Sequence, residues 1–498
     1  MPNEGTSSNV ETPRRSADST TDISSEEFRK QSSTFTEWII RYLDHPEHHR
    51  VLADVSPGDI KKKLPKSAPA KPESFEAILR DLDGVILPGL THWNHPGFMA
   101  YFSNTASKPG ILAEFVSAAL NTNAMLWRTG PASVELEDVV LDWLRQLLGL
   151  PQEFYGLIHE GASLSSLVAL TAARESLNAR IREEGMAGRA DLPKLRIYVS
   201  EQAHSSIDKA AIVLGIGQSG VARIACDEEF RLLPGELDSA IAEDIKQGIK
   251  PMAVVATVGT TSSTSVDPVK AIAAICRKHH IWLHVDAAYA GSAAVLPEMQ
   301  WMLDGCQAAD SLVLNPHKWL FVPVDCSVLY CCKPDVLRRA FSLVPEYLKT
   351  DDDQVRNPMD YGITLGRRFR ALKLWFVMRT FGVDGIRERL RYHIKIAQDF
   401  KQWVEESTDF EIMAPAPFSV VCFRYRPNSE QLTNAEIDEW NGTLMERVNA
   451  TGEVFLSHTK LNGKYVLRLA VGNLATTESH VRRSWELLQE HARHLSKR

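Results

Sequence analysis

Between about residue 110 and residue 335, stretches with helical periodicity alternate with short apolar runs that are typical of buried strands. The apolar runs are Leu195–Val199, Ala253–Thr257, Ile281–Val285, Ser311–Leu314 and Ser327–Cys331. Each is short enough for a strand and too short for a helix that could pack on its own. This alternation predicts an α/β fold, with a mostly parallel sheet and helices on both of its faces.

The pattern differs on both sides of this region. Ser24 begins a capping box, and the helix after it carries one apolar stripe from Phe28 to Leu43 that needs a cover, such as a second subunit. Beyond about residue 380, a long helical stretch precedes short alternating runs at Ser419–Phe423 and Tyr465–Val471 and a final amphipathic helix. The predicted parts are a disordered tail over 1–23, an N-terminal helical segment over 24–105, a large domain over 106–380 and a small α+β domain over 381–498.

An aspartate and a lysine follow two of the apolar runs. Asp286 comes directly after Ile281–Val285, and Lys318 comes shortly after Ser311–Leu314. The carboxyl ends of parallel strands meet at one edge of a sheet, where α/β proteins bind ligands. An amine there can hold the aldehyde of pyridoxal phosphate as a Schiff base, while a carboxylate keeps the pyridine nitrogen protonated. Most lysines are solvated and most strand-end aspartates cap a turn, so it is the pair that favours this chemistry.

Three further strand ends carry small or polar residues. Ala162 and Ser163 open a predicted helix whose backbone N–H groups suit a phosphate, although the same residues suit an ordinary N-cap. His204 follows another strand, where an imidazole can stack on a flat ring or simply occupy a turn. Thr261 lies in a Thr-Val-Gly-Thr-Thr sequence at the end of Ala253–Thr257. Each signal is modest alone, but strand ends that converge on one edge support a common site.

Composition and charge restrict the class of protein. The 498 residues are 44% hydrophobic and carry a net charge of −7, so neither a nucleic-acid surface nor a membrane surface is expected. The lysines of Lys61–Pro72 have no interleaved aromatic residues and indicate a solvated linker. Seven cysteines without paired spacing and an N-terminus without a hydrophobic stretch favour a cytoplasmic protein. The charged stretch between Leu348 and Thr364 is typical of a mobile surface loop.

The chain resembles the group II pyridoxal-phosphate-dependent decarboxylases, and among them the aromatic-L-amino-acid decarboxylases, which act on tryptophan, tyrosine or dopa. The motifs that carry this resemblance are SEQAHSS, TVGTTSSTS, HVDAAYAGS, NPHKWL, PEYLK, LGRRFRALKLWFV, THWNHPGFMAYF and PASVELEDVVLDWL. The resemblance implies the type I aminotransferase-like fold and an intertwined homodimer with shared active sites, in which the N-terminal helix packs on the partner. It also implies decarboxylation of an aromatic L-amino acid to the arylalkylamine and carbon dioxide.

The resemblance implies a role for each matching residue of the cofactor site. Lys318 is expected to bind pyridoxal 5'-phosphate, Asp286 to partner its ring nitrogen, and His204 to stack on its ring. Thr261 is expected near the ring oxygen, and Tyr347 on the catalytic loop is expected to return a proton to the substrate carbon. The residues expected to hold the phosphate or to line the site beside the lysine are Ala162, Ser163, Asn315 and His317.

The substrate pocket departs from the family pattern in several places. Trp93, Tyr101 and Phe102 match its aromatic side, but Asn104 stands where threonine is common. Gly366 falls where plant relatives selective for indoles have glycine and those selective for phenols have serine, which favours tryptophan or 5-hydroxytryptophan, with dopa as a competitor. A glycine there could equally relieve backbone strain. Further departures are Glu160 and Gly161 in the phosphate turn, Met125 in a segment of the partner subunit, and a shortened loop after Tyr347.

Three other functions fit part of the sequence. In the aldehyde-synthase branch of the family, which consumes oxygen and forms an aldehyde, ammonia and peroxide, the loop tyrosine or the stacking histidine is typically replaced, whereas Tyr347 and His204 are both present here. The sixteen histidines, among them the run from His45 to His49, suggest a metal-dependent hydrolase, but no complete ligand set occurs at strand ends, so no metal is expected. A catalytically silent binding protein would not need every matching catalytic residue.

Overall fold

The computed structural model describes residues 22–343, 355–427 and 432–495 of the protein. These residues form two compact units. One unit takes in the described residues up to 48 together with 54–90, and the other takes in 49–53 and the described residues from 91 onward.

The first unit is helical. The predicted N-terminal helix is present as α1 (Ser25–Asp44), and the hydroxyl of Ser24 accepts a hydrogen bond from the Glu27 N–H at 3.1 Å, as expected for an N-cap. Two short helices follow, α2 (Asp59–Lys63) and α3 (Phe75–Asp81). The first of these covers the start of the predicted linker, so that part of the linker is helical.

The second unit contains a seven-stranded sheet with the order β1-β7-β6-β5-β4-β2-β3. Its strands are β1 (Tyr155–His159), β2 (Leu195–Ser200), β3 (Val221–Ile224), β4 (Lys250–Thr257), β5 (Trp282–Asp286), β6 (Ser311–Leu314) and β7 (Ser327–Cys331). Strand β7 runs antiparallel to both of its neighbours, β1 and β6. The remaining neighbours, from β6 through β5, β4 and β2 to β3, pair in parallel. The carboxyl ends of β1, β2, β4, β5 and β6 therefore meet at one edge, as the sequence predicts.

Helices cover both faces of this sheet. They are α4 (Lys108–Leu120), α5 (Pro131–Leu147), α6 (Ala162–Glu175), α7 (Ile181–Glu184), α8 (Ser206–Val213), α9 (Pro234–Lys246), α10 (Val269–His279), α11 (Pro316–Trp319) and α12 (Pro334–Phe341). Alternate residues of β4 enter different cores: Val254 packs in one apolar cluster and Val255 in the other. Because both faces are buried, the central strands are apolar without alternation. The predicted α/β fold class is confirmed.

A smaller antiparallel sheet follows, with the order β10-β11-β9-β8. Its strands are β8 (Phe410–Ile412), β9 (Val420–Tyr425), β10 (Ser457–Leu461) and β11 (Lys464–Ala470). The helices of this part are α13 (Ala371–Glu405), α14 (Asn434–Ala450) and α15 (Glu478–Leu495). Gly382 interrupts α13 with a φ of 65°, which favours glycine over residues with a Cβ. No helix in the described part of the chain combines the length and the apolar surface needed to cross a bilayer.

The expectation of a mobile surface loop between Leu348 and Thr364 is wrong for its described half, residues 355–364. Pro358, Met359 and Asp360 are buried, and the Ser342 hydroxyl donates to the Asp360 carboxylate at 3.0 Å. The side chain of Arg356 is only 9% exposed, because it reaches a buried carboxylate. The charged composition of this segment predicted a solvated loop. The ion pair that buries Arg356 could not be foreseen, because its carboxylate lies far away in the sequence.

Candidate active site

Asp286 and Lys318 follow two strands that pair directly. Asp286 ends β5 opposite Val313 of β6, and Lys318 lies on the short helix α11 that follows β6. Burial lowers the pKa of the Lys318 amine, and the charge of Asp286 acts in the opposite direction. A lysine with a lowered pKa is more often the neutral amine that attacks a carbonyl. The structure therefore brings together the two residues on which the sequence prediction depends.

His204 lies at the same edge, after β2. Partial burial lowers its pKa, Asp286 raises it and Lys318 lowers it again, so the ring is within electrostatic reach of both residues. The Ser206 N–H donates to Nδ1 of His204 at 3.1 Å. Neutral His204 therefore carries its proton on Nε2, which is the donor atom of the ring.

The residues just before Lys318 are held by the backbone. The Cys326 N–H donates to Nδ1 of His317 at 2.9 Å, and burial together with the charge of Lys318 lowers the pKa of His317 to about 4. His317 is thus neutral at physiological pH. Asn315 is 2% exposed, and its Oδ1 has no hydrogen-bond partner among the described residues. A buried polar atom without a partner at a strand end suits a bound ligand.

The predicted phosphate turn joins β1 to α6. Gly161 is the N-cap of this helix, and Ala162 and Ser163 are its first residues. The first N–H groups of a helix have no partner within it and favour an anion. Glu160, which precedes the turn, lies 3.3 Å from Arg370. The turn is available for a phosphate, with a carboxylate beside it.

The chain between β4 and α10 forms a tight loop that carries Thr261. The Asp267 carboxylate closes this loop, because it accepts hydrogen bonds from the N–H groups of Thr257 at 2.7 Å and of Leu232 at 2.8 Å. Burial raises the pKa of Asp267 to about 6. Thr261 is exposed at the loop, and the buried Thr257 hydroxyl oxygen has no partner within the described residues.

An aromatic stack lines one side of the site. The ring of Phe102 stacks on Tyr289 with centroids 4.0 Å apart, and Tyr289 stacks on Trp319 at 4.9 Å. The amine of Lys318 lies 5.0 Å from the centroid of the Phe102 ring, and the guanidinium carbon of Arg468 lies 5.4 Å from it. The sequence prediction included Phe102 but missed Tyr289 and Arg468. An arginine inside the apolar run of β11 is the signal that could have identified the latter.

The contacts described for the other predicted pocket residues are with residues other than Lys318. Trp93 is 37% exposed and stacks against Tyr101, which is 53% exposed, with centroids 6.1 Å apart. Asn104 is half-buried next to this group in the sequence. Gly366 is exposed, and the contacts there are with Asn123: a Cβ built on Gly366 would lie 3.9 Å from its amide nitrogen. Tyr347 lies outside the described residues.

A buried ion-pair cluster supports the strand that leads to the phosphate turn. Glu137 of α5 is 2% exposed and accepts hydrogen bonds from Arg367 at 2.9 and 3.2 Å and from Arg356 at 3.2 Å. Burial alone would raise the pKa of Glu137, but the two arginines hold it below its usual value. Arg367 and Arg356 also donate to the Ile158 and Gly156 carbonyls of β1. The sequence prediction did not include this cluster.

A possible metal cluster is found in the first unit. His45, Glu47 and His48 are exposed, and their potential ligand atoms lie within 4.8 Å of one another. The ring of His45 stacks on that of His48 and its Nδ1 contacts Glu47 at 3.4 Å. Three exposed groups that already contact each other do not make a built metal site.

Comparison with known proteins assigns the chain to a family. The pyridoxal-dependent decarboxylase conserved domain matches residues 57–426. Tyrosine decarboxylase 4 of Petroselinum crispum is 41% identical over 480 residues, 94% of this chain and 93% of that protein. Phenylacetaldehyde synthase of a Rosa hybrid cultivar is 40% identical over 483 residues, 94% of each chain. The crystal structure of Oryza sativa TDC with PLP and tryptamine has a TM-score of 0.92 and 36% identity, over 96% of this chain and 100% of that chain.

The fold and the paired amine and carboxylate define a pyridoxal-phosphate enzyme of the type I fold. The chain belongs to the pyridoxal-dependent decarboxylase family, and is thus a carboxy-lyase. Its cofactor is pyridoxal 5'-phosphate, and the residues fit it: a buried amine, a carboxylate, a helix N-terminus and buried polar atoms without partners at Asn315 and Thr257. The predicted family, fold, enzyme class and cofactor are confirmed.

Proposed function

We propose that the protein decarboxylates an aromatic L-amino acid to the corresponding arylalkylamine and carbon dioxide. The observation that carries the proposal is the aromatic ring of Phe102, which is stacked on Tyr289 and lies 5.0 Å from the Lys318 amine. An apolar flat wall beside the reacting amine suits an aromatic side chain better than a charged one. Relatives named tyrosine decarboxylase and phenylacetaldehyde synthase support the same substrate class.

The chain's own residues have distinct tasks in this reaction. When bound, pyridoxal 5'-phosphate supplies an electron sink for the bond to the carboxylate. With the cofactor bound, Asp286 would keep its ring nitrogen protonated, Lys318 would hold its aldehyde, and His204 would lie against its ring. The aromatic wall excludes water, which strengthens the electrostatic effect of the Asp286 carboxylate. Tyr347 would return the proton to the substrate carbon, and Ser163 and Asn315 would hold the phosphate.

The substrate most favoured is an indole amino acid, tryptophan or 5-hydroxytryptophan, with dopa as the competitor. A Cβ at Gly366 would meet only the Asn123 amide at 3.9 Å, so a side chain would fit there and the glycine leaves open space. The φ of Gly366 lies outside the left-handed region, which removes the support for glycine as relief of backbone strain. The structure of Oryza sativa TDC was solved with tryptamine, which agrees with an indole product.

Oxidative conversion to an aldehyde is the second candidate, because a phenylacetaldehyde synthase is 40% identical to the chain. Retention of both Tyr347 and His204 favours simple decarboxylation. The two activities differ in their products, since only the oxidative reaction forms an aldehyde and peroxide.

The working assembly is a homodimer with shared active sites. Leu112, Phe115 and Leu120 on α4 are 59%, 57% and 58% exposed, and Ile363 and Leu365 beside Gly366 are 56% and 49% exposed. Apolar side chains exposed to this extent in groups need a covering surface. In α1, Phe28 and Ile40 are exposed as well, which supports an N-terminal segment that packs on the partner. The cysteines are unpaired, which supports a reducing, cytoplasmic location.

A substrate panel tests the proposal. Tryptophan, 5-hydroxytryptophan, dopa, tyrosine, phenylalanine and histidine are supplied to the purified protein, and amine, carbon dioxide and peroxide are quantified together. We expect amine and carbon dioxide in equal amounts from an aromatic substrate and little peroxide. Lys318→Ala should remove the visible absorbance of the bound cofactor and abolish turnover, while Lys246→Ala, at an exposed position on α9, should change neither. Turnover of histidine alone, or peroxide equal to carbon dioxide, would contradict the proposal.

A further inference from the structure

A carboxylate occupies the turn that leads into α6. Glu160 directly follows β1 and precedes Gly161, the N-cap of the helix. Glu160 and Ala162 are two peptide units apart, so their Cα atoms lie within about 7.6 Å of each other. The helix N-terminus attracts an anion through its free N–H groups, whereas a nearby carboxylate repels one. Both influences therefore act on a phosphate bound at this turn.

The charge of Glu160 is only partly compensated. Its Oε1 lies 3.3 Å from Arg370, and its Oε2 is buried with no hydrogen-bond partner among the described residues. Arg370 is shared, because it also donates to the Asp325 carboxylate at 2.9 and 3.2 Å. Lys373 is 3.8 Å from Asp325 but 2.5 Å from Glu114, which is its main partner. Arg368 is likewise 3.8 Å from Asp325 and pairs mainly with Glu114 at 2.6 Å. Arg370 is thus the cation that contacts Glu160, it is shared with Asp325, and Oε2 of Glu160 keeps negative charge beside the turn.

We propose that Glu160 lowers the affinity of this turn for the phosphate group of the cofactor, so that the protein holds pyridoxal 5'-phosphate in an exchangeable form. Loss of the Glu160 charge leaves Arg370 paired with Asp325 alone, and the turn then attracts a phosphate more strongly. The effect is specific to the phosphate, because the amine, the carboxylate and the imidazole that face the ring belong to other strand ends. It rests on the cofactor and not on the choice of amino acid, so its failure would leave the proposed function untouched.

Paired binding measurements isolate the phosphate contribution. The full-length protein, stripped of cofactor, is dialysed to equilibrium with pyridoxal 5'-phosphate or with pyridoxal, which lacks the phosphate. For Glu160→Gln, we expect the Kd of pyridoxal 5'-phosphate to fall about tenfold while the Kd of pyridoxal changes less than about twofold. Glu160→Asp, which keeps the charge, should retain the ratio of the parent protein. Arg370→Gln should act in the opposite direction and raise the Kd of pyridoxal 5'-phosphate.

A control at the other end of the same helix shows whether any lost ion pair has this effect. Glu175 pairs with Arg174 at 3.2 Å and lies about 20 Å along α6 from the turn. Glu175→Gln should leave both dissociation constants unchanged. If Glu160→Gln leaves the ratio of the two constants unchanged, the proposal is wrong. This includes the case in which both dissociation constants rise by the same factor, since Glu160 would then only hold the turn in place.

Discussion

The buried cluster of Glu137 with Arg356 and Arg367 gives the sharpest test of the packing beneath the site. Glu137→Gln keeps the size of the side chain and its acceptor for the Ile158 N–H, which bonds to Glu137 at 3.1 Å. It removes the charge that two nearly buried guanidiniums face, whose side chains are 9% and 5% exposed. A buried cation that loses its partner is the costly case. This applies most to Arg367, whose described carboxylate partner is Glu137, whereas Arg356 also contacts Asp138 at the surface.

The expected cost follows from this burial. Breaking a buried pair by removal of one partner costs about 3–5 kcal/mol. The second unit has roughly 400 described residues, each with an unfolding entropy of about 2.1 cal/mol/K, so that cost lowers its Tm by about 4–6 °C. Asp138→Asn is the matched control, because Asp138 pairs with the same Arg356 from the surface and its side chain is 45% exposed. It should cost less than about 1 kcal/mol.

The pH dependence distinguishes a charge effect from a packing effect. The arginines hold the pKa of Glu137 below its usual value, so its stabilising contribution is present above the unfolded pKa, about 4.3, and is lost as the pH falls through the folded pKa. Tm is measured at one scan rate from pH 8 down to pH 3.5 for the parent and both variants. The gap between the parent and Glu137→Gln should be constant above about pH 5 and shrink below it. A gap that persists undiminished in acid, or equals that of Asp138→Asn, would refute the reasoning.

Three predictions concern the chemistry. Gly366→Ser should shift the ratio of kcat/KM towards tyrosine over tryptophan by about tenfold. Asn123→Ala added to this variant should reduce the shift, because the Asn123 amide would otherwise donate to the new hydroxyl. An unchanged ratio in Gly366→Ser would rule out the space argument. Asp286→Ala should lower kcat by orders of magnitude at saturating cofactor, and near-normal turnover would show that its role is misassigned. Tyr347→Phe should reduce amine and raise oxygen-dependent aldehyde and peroxide, whereas unchanged amine output would mean that another group protonates the substrate carbon.

The sheet and its ligand-binding edge were predictable because each depends on local pattern. The apolar runs that end at Asp286 and precede Lys318 are strands in the structure, and a short run suffices to identify a strand buried on both faces. The strand β3 was missed, since Val221–Ile224 has a polar residue inside it and no sustained apolar run. The motif resemblance supplied roles that strand pattern alone does not contain.

What the sequence did not predict depends on contacts between distant residues. Arg356 looked like part of a solvated loop because its partner Glu137 is 219 positions away. Arg468 was missed for the same reason, because β11 belongs to a second sheet and only the tertiary fold brings it to the ring of Phe102. Periodicity describes which face of an element is buried, but it does not identify which buried charges meet there.

The contacts of Phe102 also determine when the active site can form during synthesis of the chain. The ring is held between Tyr289 and Arg468, which leave the ribosome long after it. At 5–20 residues per second, roughly 20–70 s separate synthesis of Phe102 from that of Arg468. Lys318 is made 150 residues before Arg468, so for roughly the last 8–30 s of this interval its segment is complete while the wall beside its amine is not. We therefore expect stable cofactor capture to await release of nearly the whole chain.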